Sequence, residues 1–154
     1  MRYLGFIFLL GLFSYHPGPK FPSKLSDYGL FTGDLKNQTP TTGVTPYELI
    51  APLFSDYAQK LRFVQLPAGQ SVAYNPDSVF QFPIGTRIAK TFYYPNDERK
   101  PNAGRRLMET RILSHETTGW VALPYIWNEE QTEAYLEVAG GTSLVEFKDT
   151  NGKK

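Results

Sequence analysis

The sequence predicts a mainly β protein: an antiparallel β-sandwich or partly closed barrel of about eight strands, preceded by a short helical lead-in. Apolar and polar residues alternate with a period of two after residue 60, which is typical of strands buried on one face. Aromatic residues make up 15% of the chain, and rings are enriched in strands. The 12 prolines and 13 glycines indicate turns between many short elements.

The chain begins with an apolar leader. Arg2 precedes the almost continuously apolar run LGFIFLLGLF at residues 4–13. A bilayer span needs about 20 apolar residues, so this run is too short to cross a membrane. It has the length of the central region of a secretory signal peptide. We therefore expect residues 1–15 to be a signal peptide and the mature protein to be periplasmic or extracellular, with no stable membrane span after signal removal. The alternatives are an uncleaved anchor and an apolar start packed on the domain.

The segment between the leader and the β-rich region has the composition of a connection. Residues 16–44 are rich in proline, glycine and polar side chains, which predicts an extended or irregular segment. Next, Thr45 has the position of a helix cap, Pro46 that of the first helical residue, and Glu48 can bond back to the cap. These three residues predict a short helix near 46–50.

A single β-rich domain is predicted over residues 45–148. Turn signals such as Pro67-Ala68-Gly69 and Gly140-Gly141 separate its candidate strands. The predicted strands are 61–66, 71–75, 79–82, 86–95, 105–115, 119–128, 133–139 and 143–147. Residues 149–154 are polar and predict a linker or a truncated end.

Composition argues against several classes of function. The formal charge is +1, and basic residues alternate with acidic ones, so nucleic acid is not an expected partner, because phosphate binding needs a basic patch. The chain has no cysteine and therefore no disulfide, thiolate metal site or cysteine nucleophile. Its two histidines, His16 and His115, do not form the pattern of a zinc site or a catalytic triad. We assign no catalytic and no metal-binding residue, and a binding role is favoured over an enzymatic one.

Pairing two predicted hairpins about their turns gives a candidate ligand-binding cluster. The first hairpin places Lys90 opposite Glu109, and the second, with its turn centred on Thr117, places Glu109 opposite Tyr125. Arg111 lies two residues from Glu109 and so points to the same face. We predict that Lys90, Glu109, Arg111 and Tyr125 share one face and bind a ligand carboxylate or phosphate. The alternative is a solvated cross-strand ion pair, worth roughly 0.2–1 kcal/mol, and a register slip of one residue would separate the four side chains.

The aromatic residues of the same strands suggest a second kind of site. Rings that share an exposed face can stack on a carbohydrate, whereas core packing is the more frequent use of such rings. The rings concerned are Phe92, Tyr93, Tyr94, Trp120, Tyr125 and Trp127. Trp127 is therefore added to the candidate ligand-binding residues.

Several short motifs follow one another in a specific order. They are KLSDYGLF at 24–31, PYEL at 46–49, PLFSDYA at 52–58, FPIGT at 82–86, KTF at 90–92, ETR at 109–111, YIWN at 125–128 and QT at 131–132. In this order they resemble an uncharacterised exported bacterial domain that precedes the haem segment of diheme c-type cytochrome-like proteins. The resemblance covers roughly residues 25–147 and supplies no catalytic residue.

The resemblance implies a non-catalytic exported module that supports or docks a c-type cytochrome segment, or another periplasmic redox protein. Without cysteine the chain cannot attach haem covalently, so we expect no cofactor in this chain. Either it is a fragment or a truncated gene product, with haem c in a missing C-terminal segment, or the domain acts alone. The alternative hypothesis is an exported β-domain that binds a small ligand or a carbohydrate through its aromatic strands and the face that carries Lys90 and Arg111. A concave pocket with these groups converging favours that alternative. An enzyme would instead need a perturbed acid or base in a cleft, such as Glu109 or Asp56.

Overall fold

Antiparallel strands form the body of the protein in the computed structural model, which describes residues 21–100, 102–142 and 144–153. Strand accounts for 38% and helix for 5%, so the prediction of a mainly β protein is confirmed. The strands are β1 (Phe31–Thr32), β2 (Thr39–Pro40), β3 (Val44–Pro46), β4 (Gln59–Gln65), β5 (Arg87–Pro95), β6 (Arg105–Glu116), β7 (Gly119–Trp127) and β8 (Ala134–Leu136).

The main sheet is a six-stranded antiparallel meander in which each strand pairs with the next along the chain, from β3 to β8. A tight turn at Thr117 and Thr118 joins β6 to β7, and Glu116 pairs with Gly119 across it. Gly119 has a φ of 110°, a conformation that glycine adopts without steric cost. A separate two-stranded ribbon pairs β1 with β2.

One face of the main sheet, called the inner face, is covered by residues 21–44. Leu25, which is 1% exposed, donates its amide hydrogen to the carbonyl of Ala134 at 2.9 Å. Tyr28 packs edge-on against Tyr125, with ring centroids 5.6 Å apart. The core between the two layers contains Leu25, Tyr28, Leu30, Val44, Phe63, Ala89, Leu107, Ile112, Leu123, Tyr125, Trp127 and Ala134.

A chain of buried hydrogen bonds crosses the inner face. The indole of Trp127 donates to the Thr110 hydroxyl at 3.0 Å, and this hydroxyl lies 2.7 Å from that of Thr91. Gln38 donates its side-chain amide to Thr91 at 2.8 Å. The polar groups of three neighbouring strands are thereby paired within an apolar core, as buried polar groups generally are.

The predicted sandwich or barrel is replaced by one open six-stranded sheet and a ribbon. Within the described residues there is no closed barrel, and the N-terminal segment, instead of a second sheet, covers the inner face. Five predicted strands correspond to β4–β8, whereas residues 71–75, 79–82 and 144–147 form no strand. A strand needs a partner edge, and these three segments pair with no strand of the main sheet or of the ribbon.

The helix predicted near 46–50 is also wrong. Pro46 ends β3, and the amide of Tyr47 extends the sheet pairing by donating to the carbonyl of Arg62 at 3.0 Å. A one-turn helix is costly to nucleate and Pro52 prevents its extension, so pairing along β4 prevails. The only helical pieces in the described part of the chain are the 3-10 turns Ser26–Tyr28 and Leu35–Asn37.

The C-terminal residues contact the loop between β5 and β6. Lys148 exchanges backbone hydrogen bonds with Asn96 and Glu98, and Phe147 stacks on Tyr94 with ring centroids 5.0 Å apart. Beyond them, the stretch predicted as a linker turns around Asp149, which accepts two backbone hydrogen bonds.

The leader predicted as a signal peptide lies outside the described residues. Among the described residues, no helix has the length and apolar character needed to cross a membrane.

Candidate functional site

Three cations stand in a row across the other face of the main sheet, called the outer face. Arg62 of β4 is the register partner of Lys90 on β5, and Lys90 is the partner of Arg111 on β6. Directly opposed side chains on neighbouring strands have Cβ atoms about 4.5–5.5 Å apart, and like charges at that distance are destabilising. This cationic row, defined as Arg62, Lys90 and Arg111, is therefore an arrangement that folding alone does not favour.

The neighbouring rung of the sheet supplies one acid and one ring to the cationic row. Glu109 accepts two hydrogen bonds from the Arg111 guanidinium, at 2.5 and 3.1 Å. The Phe92 ring centroid lies 5.0 Å from the Lys90 ammonium and 4.9 Å from the Arg111 guanidinium carbon, within the range of cation–π attraction. Glu109 forms an ion pair with Arg111, whereas no carboxylate of the described residues lies within ion-pair distance of Arg62 or Lys90.

Arg62 is the most unusual member of the row. Only 7% of the residue is exposed, and within the described chain its guanidinium has no hydrogen-bond or ion-pair partner. Gln38 Oε1 is the one buried side-chain polar atom without a partner in the described chain, so the guanidinium nitrogens of Arg62 still reach water. A guanidinium has five hydrogen-bond donors in a planar fork that fits carboxylate and phosphate oxygens. The donors of Arg62 are therefore accessible to an anion that enters from solvent.

The pKa of Lys90 is affected by the positive charges that surround it. Burial lowers the pKa of Lys90, and the nearby charges of Arg111, Arg62 and Lys60 lower this pKa further. Glu109 opposes the shift. A bound anion would favour the protonated amine, because an opposite charge nearby stabilises the charged form.

A groove forms where the chain after β3 passes back over the outer face. This strap, defined as residues 47–54, follows Tyr47, whose amide is bound to β4. The Lys60 ammonium donates to the carbonyl of Leu53 at 2.5 Å and so ties the strap to β4. The groove between strap and sheet has a volume of about 430 Å³, within the range of small-ligand pockets. It is lined by Tyr47, Leu49, Leu53, Lys60, Arg62, Ile88, Lys90, Arg111, Leu113 and Ala122.

The structure brings together three of the five residues predicted to bind a ligand. Lys90, Glu109 and Arg111 share the outer face, although Lys90 lies opposite Arg111 and not opposite Glu109 as predicted. That difference is a shift of two residues, which preserves the face of each side chain.

Tyr125 and Trp127 lie on the opposite, inner face, so their predicted place beside Lys90 is wrong. The turn uses both Thr117 and Thr118, which moves the pairing by one residue and sets Tyr125 opposite Thr110. Tyr125 is completely buried, and its hydroxyl lies 2.8 Å from the Pro22 carbonyl. Burial raises the pKa of Tyr125 far above its usual range.

The aromatic rings considered as a carbohydrate platform are distributed over separate places. Tyr125 and Trp127 are core residues, Trp120 stacks on His115 at 4.5 Å, and Tyr94 stacks on Phe147. Phe92 lies beside the cations of the row. The rings therefore do not provide a common stacking surface.

Sequence reasoning missed Arg62, Lys60 and Tyr47. Lys60 and Arg62 are two apart in β4 and flank the inward-facing Leu61, so their alternation already indicated a shared face. Their approach to Lys90 depends on the β4–β5 register, which a 21-residue connection between the strands does not specify. The position of Tyr47 depends on the strap, which replaced the predicted helix.

No protein-family model, curated protein or solved structure matches this chain. The described residues contain no group of three or more His, Asp or Glu side chains arranged to hold a metal ion. The chemistry that the groove offers is the binding of negative charge by guanidinium and ammonium donors beside apolar walls.

Proposed function

We propose that this protein is a non-catalytic binding domain that holds the carboxylate or phosphate of a small ligand over the cationic row. The observation that carries the proposal is the direct alignment of Arg62, Lys90 and Arg111 across three strands. The row has one acidic partner, Glu109. The charge of a bound anion relieves the repulsion between the three cations. Hydrogen bonds from ionised donors to an anion are also about twice as strong as neutral ones, so they contribute binding energy.

Thermal unfolding of the full chain in sodium phosphate, compared with sodium chloride at equal ionic strength, tests this proposal. Inorganic phosphate should raise the unfolding temperature, because a ligand that binds only the folded state stabilises it. Lys90→Met should remove the increase. Lys36→Met makes the same chemical change at an exposed lysine away from the groove and should retain it. An equal increase in Lys90→Met, or no increase in the unaltered chain, would contradict the proposal.

The ordered sequence motifs favour a second candidate function, a module that supports or docks a c-type cytochrome segment or another periplasmic redox protein. In this case the protein acts after export and its partner carries the haem. Mixing the full chain with a c-type cytochrome should then shift the absorbance of the haem with saturable concentration dependence. A haem spectrum that is identical with and without the protein would argue against docking.

A further inference from the structure

The groove has two chemically different parts. Next to the cationic row, the following rung of the outer face consists of apolar side chains, with Ile88 paired to Leu113 and Leu113 paired to Ala122. Leu49 of the strap lines the same space. A small hydrophilic anion would contact the cations and leave these apolar surfaces in contact with water.

The apolar surfaces are available to a ligand. Leu113 is 37% exposed although it lies in the middle of the sheet, and Leu49 of the strap is 46% exposed. Apolar area removed from water contributes roughly 25 cal/mol per Å², so uncovered leucines on both walls of a groove favour an apolar occupant. The cations at one end favour a negatively charged head on the same molecule.

We infer that the ligand is a single-chain acidic amphiphile, with a carboxylate or phosphate head on the cationic row and an alkyl chain lying along Ile88, Leu113 and Ala122 beneath the strap. This inference rests on the proposed function and adds the ligand class. The ligand binds as a separate molecule and not as part of a bilayer surface, because Arg62 is nearly completely buried and a head group must enter the groove to reach it.

A chain-length series tests the inference. The probes are inorganic phosphate, butyl phosphate, octyl phosphate and dodecyl phosphate, titrated calorimetrically into the full chain below their micelle concentrations. Burial of each methylene in the groove should tighten binding by about fourfold until the groove is filled. Octyl phosphate should therefore bind at least tenfold more tightly than inorganic phosphate.

Variants separate the two parts of the groove. Leu113→Gln should flatten the dependence of affinity on chain length. If Leu113→Gln does not fold, Leu49→Gln provides the same test on the opposite wall of the groove. Leu49 belongs to the strap and lies outside any strand. Leu144→Gln is the matched control, since Leu144 is 87% exposed and does not line the groove, and its chain-length series should equal that of the unaltered protein.

The outcomes distinguish this inference from the proposed function. If all four probes bind with the same affinity, the amphiphile inference is overturned while the anion-binding proposal stands. If none binds, both fall. Sedimentation with phosphatidylglycerol vesicles supplies a further test: the protein should remain in the supernatant while dodecyl phosphate binds. Sedimentation of the unaltered protein that is lost in Lys90→Met would overturn the inference in favour of a bilayer surface that contacts the cationic row.

Discussion

Lys90 shows how a single residue makes opposing contributions to stability and to binding. It lies between two cations of neighbouring strands, and its ammonium lies 5.0 Å from the centroid of the Phe92 ring. A side chain that keeps the packing and removes the charge separates these contributions. Methionine meets that description because it is unbranched and similar in length.

We expect Lys90→Met to raise the free energy of unfolding by roughly 0.2–1 kcal/mol at neutral pH, the range for opposed side chains on neighbouring strands. The folded-state pKa of Lys90 is below its usual value of 10.5. The protonated amine therefore destabilises the fold at neutral pH, and this cost disappears as the pH rises through the lowered pKa towards 10.5. Urea unfolding at several pH values measures the difference, which should shrink in alkaline solution. A constant difference would show that charge is not its cause.

The charge of Asp97 stabilises the fold, whereas the charge of Lys90 destabilises it. Its carboxylate accepts hydrogen bonds from the Arg99 backbone amide and guanidinium at 2.8–3.0 Å. These contacts lower the pKa of Asp97 from 3.8 to about 2. The carboxylate therefore stabilises the fold above pH 3.8, and this contribution is lost as the pH falls from 3.8 to about 2.

We expect Asp97→Asn to unfold at a lower temperature than the unaltered protein at pH 6 and at the same temperature near pH 2. Thermal unfolding followed by circular dichroism between pH 2 and pH 6 provides the measurement. Asp77→Asn is a control, because its backbone amide, not its carboxylate, makes its hydrogen bond. A pH-independent difference for Asp97→Asn would contradict the assigned role of the Arg99 contacts.

At the level of elements, strand positions were more predictable than strand partners. The long strands β5, β6 and β7 agree with prediction within one residue at each end, because alternation continues over many residues between clear turns. The short pieces β1, β2 and β3 were not predicted, since two or three residues carry no periodic signal. The register of β6 and β7 required the length of their turn, and an error of one residue there reversed the faces of Tyr125 and Trp127.

The N-terminal segment before β1 stabilises the protein by packing on the inner face of the main sheet. Leu25 belongs to the core on the inner face, and Leu136 donates a backbone hydrogen bond to Ser23 at 2.9 Å. Leu25→Ala should lower the free energy of unfolding by about 2–5 kcal/mol, the range for removing a buried leucine side chain. Urea titration measures this loss, and Leu144→Ala at an exposed position should cause almost none. A similarly small effect for Leu25→Ala would mean that the segment does not stabilise the sheet.

At the scale of the whole molecule, the described residues form one core that the main sheet and the N-terminal segment share. A single core predicts a single cooperative transition, as in most domains of this size. Fluorescence of Trp127, measured in a Trp120→Phe variant, should therefore give the same urea midpoint as far-ultraviolet circular dichroism. Trp127 reports on the core because its indole bonds to Thr110. Two distinct midpoints would show that the segment and the sheet unfold separately.

The sequence by itself determined which side chains share a face within each strand, such as Lys60 with Arg62 and Glu109 with Arg111. This follows from the two-residue period of an extended chain, a local property of the backbone. Tertiary structure decided which of these faces meet across neighbouring strands. It also decided that the strap crosses the outer face. Turn geometry and contacts between residues distant in sequence set the register of neighbouring strands and determine which segment covers each face of the sheet. The cationic row and its groove arise from those long-range contacts.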